Sequence, residues 1–188
     1  MPDRRELPTE TERSVKGTTV STTKRSFYEG VGFGVIAGVI FAVMEIIAAA
    51  AMGMPLLMPL RMFASVLLGQ DAMMTANLSS VVAVGVIAHL ALSAIFGAIY
   101  GLLDARLPGQ TQRSYGRQAI YGLLFGAALW FVNFQIIARI AYPWFLDAPQ
   151  FLQVALHAIC FGLPLGLFYA AGERRAVGPL LERRVSAR

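Results

Sequence analysis

Residues 34–51 read GVIAGVIFAVMEIIAAAA, and residues 122–138 read GLLFGAALWFVNFQIIA. Laid over one another, they bring Gly34, Gly38 and Glu45 onto Gly122, Gly126 and Asn133, and the same offset carries Pro55 onto Pro143. Neither stretch contains Lys, Arg or Pro, and each belongs to an apolar run of bilayer-crossing length, for which a helix needs about 20 residues. A carboxylate and a carboxamide at such a depth are expensive, which makes them the first candidates for function.

Two further runs complete the set. Residues 28–52, 79–103, 118–141 and 150–171 are each predicted to span the membrane as helices. The composition agrees: of 188 residues 56% are hydrophobic and only 14% charged, with a mean hydropathy of +0.60, whereas a soluble domain carries about 25% charged residues. All of the 16 Lys and Arg except Arg61 and Arg139 lie in three blocks, 1–25, 104–117 and 173–188. The positive-inside rule turns those blocks to the cytoplasm and leaves the connections 53–78 and 142–149 outside.

The expected architecture is all-α and polytopic. A basic, disordered cytoplasmic tail covers 1–26, a four-helix transmembrane domain 27–172, and a second basic cytoplasmic tail 173–188, in a bacterial inner (plasma) membrane. The polar first 26 residues do not read as a secretory signal. The net charge of +5 follows from the topology and serves contact with anionic lipid, so no nucleic-acid partner is expected. Cys160, the single cysteine, is expected to pack as a small apolar residue. Tyr142, Trp144 and Phe145 read as an outer aromatic belt, and Phe27, Tyr28, Tyr100, Tyr115, Tyr121 and Tyr169 as an inner one. Within 54–78, the run from Pro59 to Gly69 is too short to span and is expected to form a short interfacial or re-entrant helix over the polar layer.

Helix two carries His89-x3-Ser93-x2-Phe96-Gly97-x2-Tyr100, and helix four His157-x3-Phe161-Gly162 followed by Gly166 and Tyr169. With Glu45 and Asn133 in the first and third helices, this makes a duplication of a two-helix hairpin in parallel orientation. Glu45 stands 7 and 11 residues from Gly38 and Gly34, spacings that share one helix face. Asn133 stands likewise to Gly126 and Gly122. Gly-x3-Gly is the seam along which membrane helices approach closely, so both polar groups should face the interior. Counted at about 1.5 Å per residue, Glu45, His89, Asn133 and His157 lie near one level, roughly 10–15 Å below the outer surface.

Three readings of that layer follow. The first is structural: Glu45 paired to His89, or Asn133 to His157, fixes helix register at roughly 0.6–2 kcal/mol a bond. The second is a b-type haem ligated by His89 and His157, or a divalent metal held by these two together with Glu45 and Asn133. The third is a proton or solute path through Glu45 and the histidines, with Arg61, Gln135 and Arg139 at its mouth and Ser93 beside it. Such a path in so short a chain calls for a homo-oligomer; otherwise the chain reads as an accessory subunit of a larger membrane complex. No Gly-x-Ser-x-Gly, His-Glu-x-x-His or P-loop is present, so an enzyme is not the expected reading.

On these residues the chain resembles the YagU-like family of small bacterial inner-membrane proteins. The resemblance rests on His89-x3-Ser93-x2-Phe96-x3-Tyr100, the basic loop after it, and Gly122-x3-Gly126 leading to a polar residue at 133 and a proline at 143. It covers about two thirds of the chain at low identity. It departs at Asn133, where the family pattern leads one to expect His, and throughout 54–78. It implies an association with acid tolerance and no established activity.

Overall fold

The computed structural model describes residues 10–74 and 77–186, with side chains described over 26–74 and 77–176. Among the described residues there is no strand. Four helices are long and apolar enough to cross a membrane: Ser26–Ala51, Leu78–Asp104, Tyr115–Ala141 and Gln150–Ala176. They match the expected spans to within a few residues, and the chain is an all-α, multi-pass membrane protein. The first helix as a whole runs Glu10–Ala51 and so differs from a tail disordered to residue 26. Extending a helix from an apolar span adds one bond per residue with no new nucleus to form, and that is the physical reason a polar segment can continue it. Residues 1–9 of the expected tail lie outside the described residues, as do the side chains of 177–188.

Local chemistry sets the ends. The first helix stops where Gly53 takes φ +70°. Met54 N–H then bonds Ala49 C=O at 2.9 Å and Gly53 N–H bonds Ala50 C=O at 3.0 Å, the two-bond C-terminal cap that glycine permits. The second helix begins at Asn77, whose Oδ1 accepts from Ser80 N–H at 3.5 Å. The third begins at Ser114, whose Oγ accepts from Arg117 N–H at 3.4 Å.

Glycine seams close each hairpin. A Cβ on Gly34 would collide with the backbone of Ser93 and Gly97, and one on Gly38 with the Ser93 side chain. In the second hairpin, Gly122 lies against Gly162 and Gly166, and Gly126 against the backbone of His157 and Ala158. The hairpins then meet through helices one and four, with Phe41 on Phe161 and Phe33 on Tyr169. This is the expected duplication, with one change of register. Gly97 approaches the carbonyl of Gly30, and Gly166 approaches that of Gln118, which is Gly30 carried across by the same offset as Gly34 to Gly122. Gly166, not Gly162, is therefore the counterpart of Gly97, and Tyr169 that of Tyr100. His89 stands 8 residues before Gly97 and His157 stands 9 before Gly166. The extra residue falls in a π-helical segment, Leu156–Gly162, whose wider turn accommodates it.

Tyr100 and Tyr169 do not belong to an aromatic belt: they are 4% and 1% exposed. They stack near one another, with centroids 5.2 Å apart, and each hydroxyl reaches the other hairpin. Tyr100 donates to Gln118 Oε1 at 2.6 Å, and Tyr169 to the Ser26 carbonyl at 2.7 Å. Gln118 Nε2 in turn donates to Asp104 Oδ1, and Gln112 Nε2 to the Asp104 carbonyl at 2.8 Å. The sequence pattern misreads these tyrosines because aromatic residues near a span end look the same whether they turn out or in. Tyr169→Phe is expected to lower stability by about 1 kcal/mol, since it removes a buried hydrogen bond between the hairpins. Thermal melting in detergent checks this against Tyr121→Phe, whose ring is exposed; equal melting of the two would deny the clasp.

The run 54–78 forms the short helix Met58–Leu68, here the cap helix. Pro59 sits in its first turn, where a missing N–H costs nothing. Gly69 at φ +80° ends it. Leu60, Ala64 and Ser65 are its buried face, laid on helix two where Gly85 allows the Leu60 carbonyl in. Arg61 Nη1 donates to the carbonyls of Met73 and Ala72 at 3.0 and 3.4 Å, and so holds the following turn, Gln70–Met73.

Candidate functional site

Beneath the cap helix, the four helices enclose a cavity of about 390 Å³. Glu45, His89, Asn133 and His157 all line it, so each helix does contribute a polar residue from the expected set. Glu45 is 9% exposed; the glycine seam turns it inward as its spacing predicts. The expected pairings within the layer are not formed. Glu45 Oε2 accepts from Gln153 Nε2 at 3.3 Å. The Nε2 of His89 meets the Gly38 carbonyl at 2.8 Å, and the Nδ1 of His157 meets the carbonyl of Gln153 in its own helix at 2.8 Å. Each imidazole finds a backbone carbonyl before it finds a side chain, because the seam brings helix one's backbone within reach of His89.

Phe41, one helical turn from Glu45, packs against both imidazoles, with centroids 5.7 Å from His89 and 4.7 Å from His157. Phe63 of the cap helix stacks on His89 at 4.2 Å.

That arrangement does not fit the haem reading. Two axial imidazoles must oppose each other across a macrocycle with one ring nitrogen each turned to the iron. Here Phe41 packs against both rings, and the Nε2 of His89 meets a backbone carbonyl. A divalent site lacks donors too: among the described residues no three His, Cys, Asp or Glu side chains converge as a metal would require.

The expected mouth is also rearranged. Arg61 serves the turn after the cap helix. Arg139 is exposed and donates through Nε and Nη2 to Gln135 Oε1 at 3.2 and 2.8 Å, and Gln135 Nε2 donates to Gln150 Oε1 at 3.4 Å. The three make a polar strap between helices three and four at the cap end. Ser93 donates to the His89 carbonyl at 2.7 Å, a bond within helix two, and its side chain fills the space beside Gly38.

Sequence reasoning missed Gln153, and the only signal for it was the spacing Gln153-x3-His157. It also missed the π-helical segments Phe131–Ile137 and Leu156–Gly162, which carry Asn133 and His157. Such wide turns are rare and gather at functional sites; the hydrophobic pattern continues through them unbroken. The roof is closed by one bond, Trp144 Nε1 to Ser65 Oγ at 2.8 Å, which ties the cap helix to the turn Pro143–Asp147. Trp144, Tyr142 and Phe145 thus do more than mark an interface, since the last two also line the cavity. No family model, no curated protein and no solved structure matches the chain.

Proposed function

We propose that the protein is a small proton-linked, solute-handling protein of the bacterial inner membrane, with both termini in the cytoplasm. The observation that carries this reading is the hollow itself, which lies against a carboxyl group within the span. A register-setting pair such as Glu45 and Gln153 needs no cavity beside it, and an unfilled space costs its lining contacts. A cavity of about 390 Å³ has the size of a small-molecule site, roughly 300–1,000 Å³. The titratable groups around Glu45 are His89 from helix two, His157 and Cys160 from helix four, and Tyr142 from the turn below the roof. The orientation is supported by the three basic blocks, of which two come together where Arg174 Nε donates to the Arg113 carbonyl at 2.8 Å.

The test is proton movement. In proteoliposomes loaded with a pH-sensitive dye, Glu45→Gln is expected to abolish protein-dependent proton flux. The carboxamide keeps the shape and the bond to Gln153 while removing the titrating group. Unchanged flux in that variant rejects the reading.

A further inference from the structure

We infer that the cavity takes a lipophilic monocation, which enters sideways from the bilayer between helices two and three. The inference rests on the solute-handling reading above and names its substrate class. Three observations carry it.

The first is charge. The cavity wall holds one carboxyl group, Glu45, two imidazoles and no Lys or Arg among the described residues. An anionic headgroup would find no cationic partner there, whereas a cation meets a carboxylate in a medium where Coulomb attraction is weakly screened.

The second is the lining. Phe41, Phe63, Phe96, Phe134, Phe145 and Phe161 surround the space. Aromatic faces attract a cation through their quadrupole and do so best where water is absent. An apolar body and a single positive charge are what such a wall selects.

The third is the way in. The roof is shut by the bond between Trp144 and Ser65. Helices two and three touch at the end that carries the termini, where Tyr100 meets Gln118 and Phe125. Among the described residues the two helices share few close backbone contacts; Leu92 and Phe96 line the cavity from one side and Leu129 and Val132 from the other. Val132 and Ile137 line the cavity and are each 42% exposed. A rim of Val and Ile opens to lipid rather than to water, so the solute must first partition into the membrane.

The full-length protein in detergent micelles tests this with two probes of nearly the same shape and opposite charge, tetraphenylphosphonium and tetraphenylborate. Equilibrium dialysis is expected to show saturable binding of tetraphenylphosphonium. Tetraphenylborate should show no more than its partition into empty micelles. Glu45→Gln should weaken the cation at least tenfold. Val132→Trp, which narrows that rim, should slow the rate of cation association at least fivefold. The comparison of the two ions on the unaltered protein needs no variant to fold. Equal binding of both ions, binding of neither, or cation binding indifferent to Glu45→Gln overturns the assignment. If proton flux through Glu45 persists in that case, the proton-linked reading survives and only the substrate class falls. Cation selectivity with flux indifferent to Glu45→Gln sinks the proton link instead.

Discussion

Gly97→Leu is expected to leave the first hairpin unable to close, with loss of a monodisperse, thermally stable protein in detergent. A side chain at this position meets the Gly30 carbonyl and the Gly34 backbone, and neither can rotate aside as a side chain could. Overpacking a core costs about 1–3 kcal/mol where neighbours can adjust, and more where the backbone must move. Here two helices must separate, which also breaks the bond from His89 to the Gly38 carbonyl; the total is expected to exceed about 3 kcal/mol. Gly166→Leu should do the same to the second hairpin, because Gly166 lies on the Gln118 carbonyl. The control is Gly32→Leu in the same helix as Gly34. A Cβ there meets nothing within 4 Å, and a lipid-facing leucine is favourable, so the melting temperature should hold or rise. A Gly97→Leu protein that melts with the wild type would deny the close approach.

The contrast between Gly32 and Gly34 shows what a sequence can reveal of such a fold. The spans were legible because bilayer thickness imposes a length, and Ser26–Ala51 or Leu78–Asp104 differ from their expected limits by two residues or fewer. The inward face of Glu45 was legible from its spacing to Gly34 and Gly38, since one seam dictates the whole face. What Glu45 touches was not legible. Its partner Gln153 lies 108 residues away and sits beside His157, which the same spacing arguments favoured. Tyr169 and Gln118 were hidden for a related reason: a polar atom near a span end can turn to headgroups or to another helix, and only packing decides. The π-helical turn Leu156–Gly162 shifts the register of His157 against Gly166 by one residue without disturbing composition, so the hydrophobic pattern carries no sign of it.

Replacing Glu45 and Gln153 singly and together separates a structural pair from a working site. Gln153→Leu leaves the carboxyl in the bundle interior without its donor and is expected to destabilise the protein by about 1–3 kcal/mol or more, the range for a buried polar group robbed of its partner. Glu45→Leu strands the Gln153 amide in the same way, at the lower end of that range. In the double variant both partners are apolar, and substitutions of that kind are near neutral or stabilising. The protein should then melt close to the wild type, so that the two changes are strongly non-additive, as expected for groups in contact. Function should follow the opposite pattern. Proton flux and cation binding are expected to vanish in Glu45→Leu and in the double variant alike, because a restored fold does not restore a titrating carboxyl. A pair retained only to set helix register predicts instead a double variant that melts below the wild type or has altered packing. A double variant that folds as well as the wild type and carries no protons would mean that the bundle does not need Glu45 to stand, and that the carboxyl beside the cavity is there for what enters it.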